Sequence, residues 1–73
     1  MSGGVYKVIE LVGTSTESWE AAARAAIESA AASLEDIRIA EVVKMDVRLE
    51  QNKIVEYRTR VAVSFKYHKD LAD

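Results

Sequence analysis

The side chains able to do chemistry are few. There is no cysteine and one histidine, His68, close to the C-terminus, so thiolate chemistry, disulfides and Cys- or His-based metal sites are not built from one copy of this chain. Serine and threonine gather in Gly13-Thr14-Ser15-Thr16-Glu17-Ser18. That stretch lacks the G-x-S-x-G elbow of a nucleophilic serine. At a helix start it could hold an anion through free amides, but capping is the commoner role of such residues. The acids Glu35, Asp36 and Asp46 are isolated, and no Asp-x-Asp-x-Asp-Gly calcium loop is present. Glu41 is the one acid set in an otherwise apolar strand face; a structural ion pair with Arg58 or Arg60 is expected rather than acid-base catalysis. Asp46 shares a strand face with Arg48, two residues on, and is expected to pair with it.

The elements that position these groups are set by periodicity. Val5–Val12, VYKVIELV, is rich in β-branched residues and reads as a strand ended by Gly13. Thr14 and Glu17 have capping-box spacing, with Ser15 a competing cap, and a helix is expected from there to about Ser33. Its apolar stripe is Trp19, Ala23, Ala26, Ile27, Ala30 and Leu34, with Trp19 read as core packing. Residues 37–49 alternate, Ile37, Ile39, Val43, Met45, Val47 and Leu49 to one side and Ala40, Val42, Lys44, Asp46 and Arg48 to the other. A polar turn, Glu50–Lys53, with Asn52 suited to positive φ, leads to a second alternating strand, Ile54–Tyr67. The expected fold is therefore α+β: a βαββ unit with a three-stranded antiparallel sheet packed on one helix.

The chain has 73 residues, one domain, with tails expected at residues 1–4 and 68–73 around a domain at 5–67. So small a core rarely supplies more than ~3–5 kcal/mol, and without disulfides the staple left is oligomerisation. Strands of this length span ~40 Å, more than one helix of alanines covers, and exposed apolar sheet marks an interaction surface. The net charge is −2, with Lys and Arg scattered among Asp and Glu; that gives no basic footprint for nucleic acid. No apolar run reaches the ~18 residues of a membrane span and no secretion signal is legible, so a cytoplasmic protein is expected.

Together, VGTSTESWEAAARAAI, IAEVV at Ile39–Val43 and YRTRVAVSF at Tyr57–Phe65 resemble the dodecins across Val5–Tyr67. That resemblance implies a hollow homododecamer, without catalytic activity, that binds flavin between tryptophans of neighbouring subunits. Three positions depart from the flavin-binding pattern. Ile39 stands in place of the stacking tryptophan, Arg58 in place of a glutamine that bonds the flavin edge, and Asp46 in place of an arginine common in bacterial members. An isoleucine has no π-face, and arginine donates only. GTS followed by SWE, DIR at Asp36–Arg38, Asp46 and Tyr57-Arg58 are instead similar to the calcium dodecins, which implies calcium as cofactor and Asp46 as a metal ligand. The expected function is a self-assembled shell that binds, buffers or stores a small ligand or ion, with a degraded flavin site at Ile39, Arg58 and Asp46. The alternatives are a riboflavin- or FMN-storing dodecin, or a purely structural or interaction oligomer.

Overall fold

The computed structural model describes residues 4–66. The expected tails, apart from Gly4, lie outside them, as do Tyr67 and His68. The order is β1 (Tyr6–Ser15), α1 (Trp19–Ala31), β2 (Ile37–Glu50) and β3 (Lys53–Lys66), the βαββ unit expected. The sheet is antiparallel with order β1-β3-β2. The hairpin closes on Gln51 and Asn52, at φ 52° and 63°, between the paired Glu50 and Lys53. Two successive positive-φ residues match the right-handed twist of the strands they join.

The helix begins later than its sequence suggests. Gly13, Thr14 and Ser15 stay in the ladder opposite Thr59, Arg58 and Tyr57, so strand pairing claims the residues that spell a capping box. Ser18 is the N-cap: its hydroxyl accepts from the Ala21 amide at 3.0 Å, while Ser15 Oγ only closes a local turn on the Glu17 amide, at 2.9 Å. Regular helix ends at Ala31, and the amides of Ser33 and Leu34 still bond Ala30 O. Nor does Gly13 end the strand. It is buried inside β1, where a Cβ would stand 1.9 Å from Ala22 O and 3.0 Å from Ala26 Cβ. The bare backbone lets α1 settle onto β1 and β3.

Beneath α1 lies a small core: Ala26, Ala30, Val61 and Val63, edged by Ile9, Leu11, Ile27, Leu34 and Ile37. Thr59 is buried with them, its hydroxyl donating to Trp19 O at 2.9 Å. Trp19 itself is 39% exposed and is not core in one subunit. The radius of gyration is 15.3 Å and the long axis 54 Å; a compact chain of this length would have a radius near ~11 Å. The strands outrun the helix, which leaves most of β2 uncovered.

Gly13→Ala is expected to destabilise the fold more than a typical overpacking change of ~1–3 kcal/mol, because the new methyl meets backbone rather than a movable side chain. Urea unfolding of parent and variant measures it; an unchanged midpoint would show that α1 does not need the close approach.

Candidate ligand-binding site

The faces of the sheet are set by register, and register is broken in β2. Irregularities fall between Ile37 and Ile39, between Val42 and Lys44, and between Arg48 and Leu49. The first two each add a residue to β2, Arg38 and Val43, and flip the faces of the residues beyond; the third adds Val55 to β3. The alternation expected through residues 37–49 is therefore corrected. Ile37 edges the core, whereas Ile39 lies on the opposite, helix-free face, opposite Ser64. Beyond the bulge at Val43, Lys44 and Asp46 share that helix-free face with Ile39. Its rungs run Val8–Ser64–Ile39, Glu10–Ala62–Glu41, Val12–Arg60–Lys44 and Thr14–Arg58–Asp46.

Two of the three expected site residues meet. Arg58 donates to both carboxylate oxygens of Asp46, Nε to Oδ1 at 2.8 Å and Nη2 to Oδ2 at 3.0 Å. This bidentate fork is the geometry guanidinium fits best, and it replaces the Arg48 partner expected for Asp46. Arg48 instead bonds Glu50 at 2.7 Å and Glu56 at 2.9 Å. The hydrogen bonds from Arg58 hold Asp46 below its ordinary pKa, with Lys44 and Arg60 adding charge attraction; Arg58 is raised by the same bonds. Glu56 is lowered chiefly by Arg48 and next by the Thr14 hydroxyl. Ile39 stands apart, six β3 residues along the face, or ~20 Å by strand rise. It is 63% exposed. One subunit thus holds the Asp46–Arg58 pair and, at a distance, an apolar platform.

The ion pair expected for Glu41 is absent: among the described residues it makes none, because Arg58 is taken by Asp46 and Arg60 leans to Glu10 at 3.4 Å. A shallow cleft beside Asp46 is lined by Val12, Lys44, Arg58 and Arg60. A calcium ion does not fit there within one subunit. Calcium takes six to eight oxygens, no cluster of three or more Asp, Glu, His or Cys exists among the described residues, and both Asp46 oxygens face an arginine with two more cations beside it.

Sequence reasoning missed the contact that holds Asp46 in place. Trp19 Nε1 donates to the Asp46 carbonyl at 3.0 Å, and the indole meets Tyr57 edge-on with centroids 5.0 Å apart. The helix start is thereby tied to β2 beside the ion pair. A tryptophan at the first helical turn, more polar in its surroundings than the stripe behind it, was the available signal.

The dodecin family's sequence model matches residues 5–68. The calcium dodecin of Mycobacterium tuberculosis is 45% identical over 62 residues, spanning 85% of this chain and 87% of that protein. A crystal structure of calcium dodecin from that organism, calcium-chelating and with a novel calcium-binding site, superposes with a TM-score of 0.80 at 42% identity, covering 92% of this chain and 96% of that one. The dodecin of Thermus thermophilus is 38% identical over 64 residues, 88% of this chain and 93% of that protein. A variant of it superposes with a TM-score of 0.85 at 35% identity, over 93% of this chain and all of that one.

Because Asp46 is lowered on folding, its pair contributes stability that is present above the unfolded carboxylate's ordinary value of 3.8 and drains as pH falls through the lower folded value. Asp46→Asn should therefore unfold at lower urea than the parent at neutral pH, and the two midpoints should converge in strong acid. Denaturation series across pH check this; a gap that persists undiminished in acid would show that the pair is not its source.

Proposed function

The chain belongs to the dodecin family, and from that premise we propose that it works without catalysis, as a closed homododecameric shell that holds a small ligand where its subunits meet. The observation that carries this reading is apolar surface on both faces of one sheet. Tyr6, Val8, Val12 and Ile39 are exposed on the helix-free side, at 47%, 57%, 44% and 63%, while Val42 and Met45 are exposed on the helix side at 51% and 56%, where α1 does not reach. A plain dimer covers one face and leaves the other in water. Covering both requires neighbours of two kinds, which is what closed assemblies of higher symmetry provide. The shifted pKa values support binding over catalysis: each belongs to a member of an exposed ion pair, not to an acid or base held in a pocket.

The ligand site of the proposal is made from Ile39, Arg58 and Asp46. Ile39 offers dispersion without a ring face, and Arg58, spent on Asp46, offers little to a flavin's acceptor and donor edge. Flavin is therefore held weakly, and the shell buffers or stores a different small molecule or ion. Calcium is a second reading, favoured by the 45% identity to a calcium dodecin. Since Asp46 is engaged by its own arginine, the remaining oxygens would have to come from other subunits.

Sedimentation velocity at micromolar concentration should give about 97 kDa, twelve times the 8.1 kDa chain; a monomer or dimer would refute the shell. Loss of assembly should also lower the unfolding midpoint, since the interface completes the core.

Riboflavin titration by fluorescence quenching should show weak binding in the parent and about tenfold tighter binding in Ile39→Trp, from restored stacking of ~0.5–1.5 kcal/mol per aromatic pair. Tight binding by the parent would refute the degraded site. In the same preparations, calcium retained through purification and a melting midpoint that falls on chelation would carry the second reading. Loss of that difference in Asp46→Asn would place the ion at Asp46, whereas equal midpoints would dismiss calcium.

A further inference from the structure

The Asp46–Arg58 fork is better ordered than its place in the sheet alone provides. The two side chains are 41% and 43% exposed, and so open a pair is loosely held unless its geometry is fixed from elsewhere. Asp46 also lies on an edge strand, between the inserted Val43 and the point where Val55 is inserted opposite. The ladder is locally disrupted at each such insertion. An aspartate carboxylate stands only two rotatable bonds from its backbone, so the fork stays closed only where the backbone of Asp46 is held.

One residue on the other side of the sheet supplies that hold, at three points. Trp19, the first residue of α1, donates from Nε1 to the Asp46 carbonyl at 3.0 Å. Its ring meets Tyr57 edge-on with centroids 5.0 Å apart, and its own carbonyl accepts the Thr59 hydroxyl at 2.9 Å. Tyr57 and Thr59 flank Arg58 on β3 and turn to the helix side, while Arg58 turns to the helix-free side opposite Asp46. The three contacts therefore bracket the fork. One falls on the residue that brings the carboxylate, and two fall on the neighbours of the residue that brings the guanidinium. Trp19 thus joins the start of α1 to β2, the strand the helix touches least.

We propose that Trp19 is a positioning residue for the ligand face: acting through the sheet, it keeps Asp46 and Arg58 locked to each other, so that the face presents a closed ion pair rather than a free guanidinium. The inference rests on the reading that Arg58 lines the ligand site, and it makes the weak hold on flavin a consequence of how the helix starts.

A double-mutant cycle in urea, at one protein concentration, tests the positioning. Trp19→Phe keeps an aromatic edge for Tyr57 and removes the donor to Asp46. In that background the stability lost on Asp46→Asn at neutral pH should fall to about half or less of its value in the parent. In strong acid the coupling should vanish with the carboxylate's charge. The groups that face Asp46, Arg58 and Arg60 from β3 and Lys44 beside it on β2, stay positive throughout. A tryptophan that only packs gives additive losses, with the Asp46→Asn cost unchanged, and that result overturns the proposal. Should Trp19→Phe fail to fold, benzothienylalanine in place of the single tryptophan exchanges the N–H for sulfur and keeps the shape, and the same two outcomes decide.

Riboflavin separates the positioning from the function on which it rests. Released from the fork, Arg58 can donate to a flavin's acceptor edge, so adding Trp19→Phe to the Ile39→Trp protein should tighten riboflavin binding about threefold or more. A coupled cycle with unchanged riboflavin affinity overturns Arg58 as a ligand residue and leaves the positioning intact. An uncoupled cycle overturns the positioning, whatever riboflavin does.

Discussion

Everything in this subunit hangs on how closely α1 can lie on the sheet at Gly13. With no side chain there, the backbone of β1 accepts the Ala22 carbonyl at a distance that any Cβ would forbid. The helix face laid against it must then be alanine, and Ala22, Ala26 and Ala30 are its buried positions. Close approach and small side chains are one choice seen from two sides. The consequence is a thin core, since alanines bury little apolar area each and the stabilisation scales with area. Val61 and Val63 carry most of the bulk.

A thin core under a short helix leaves the long strands underemployed within one chain. Helix α1 has 13 residues and each hairpin strand 14, but a helix rises less than half as far per residue as a strand does. The uncovered sheet is therefore a geometric necessity of these lengths. It explains why β2, the strand α1 scarcely touches, carries so many of the exposed apolar residues and two of the three inserted residues. Bulges on an edge strand also twist it away from open-ended pairing with other sheets, which favours closure over runaway assembly.

The polar chemistry divides in the same way. Where the subunit is complete, charges are settled: Asp46 with Arg58, Arg48 with Glu50 and Glu56. These pairs are two-fifths or more exposed on their arginine side, so each adds little to stability. Their effect is geometric, holding the hairpin's helix-free face in one arrangement, with Trp19 clamping the Asp46 carbonyl from the helix side. Elsewhere on that face Ile39 stands bare, and Glu41 and Lys44 make no ion pair among the described residues.

By itself the sequence determined the element order, the hairpin and its positive-φ Asn52, and Ala26 and Ala30 of the buried α1 stripe but not Ala22, because each depends on periodicity, turn chemistry or length alone. The family resemblance was equally legible in VGTSTESWEAAARAAI and YRTRVAVSF. Only the tertiary structure decided where the helix starts, since ladder pairing of Thr14 and Ser15 with Arg58 and Tyr57 outcompetes a capping box that looks sound locally. Only it decided which way β2 faces. Period-two alternation carries no mark of an inserted residue, so the one bulge between them, at Val43, moved Ile39 and Asp46 from opposite faces to one. The partner of Asp46 changed for the same reason: Arg48 is near in sequence, but the neighbouring strand sets Arg58 directly across, and a bidentate fork needs that opposition rather than proximity along the chain.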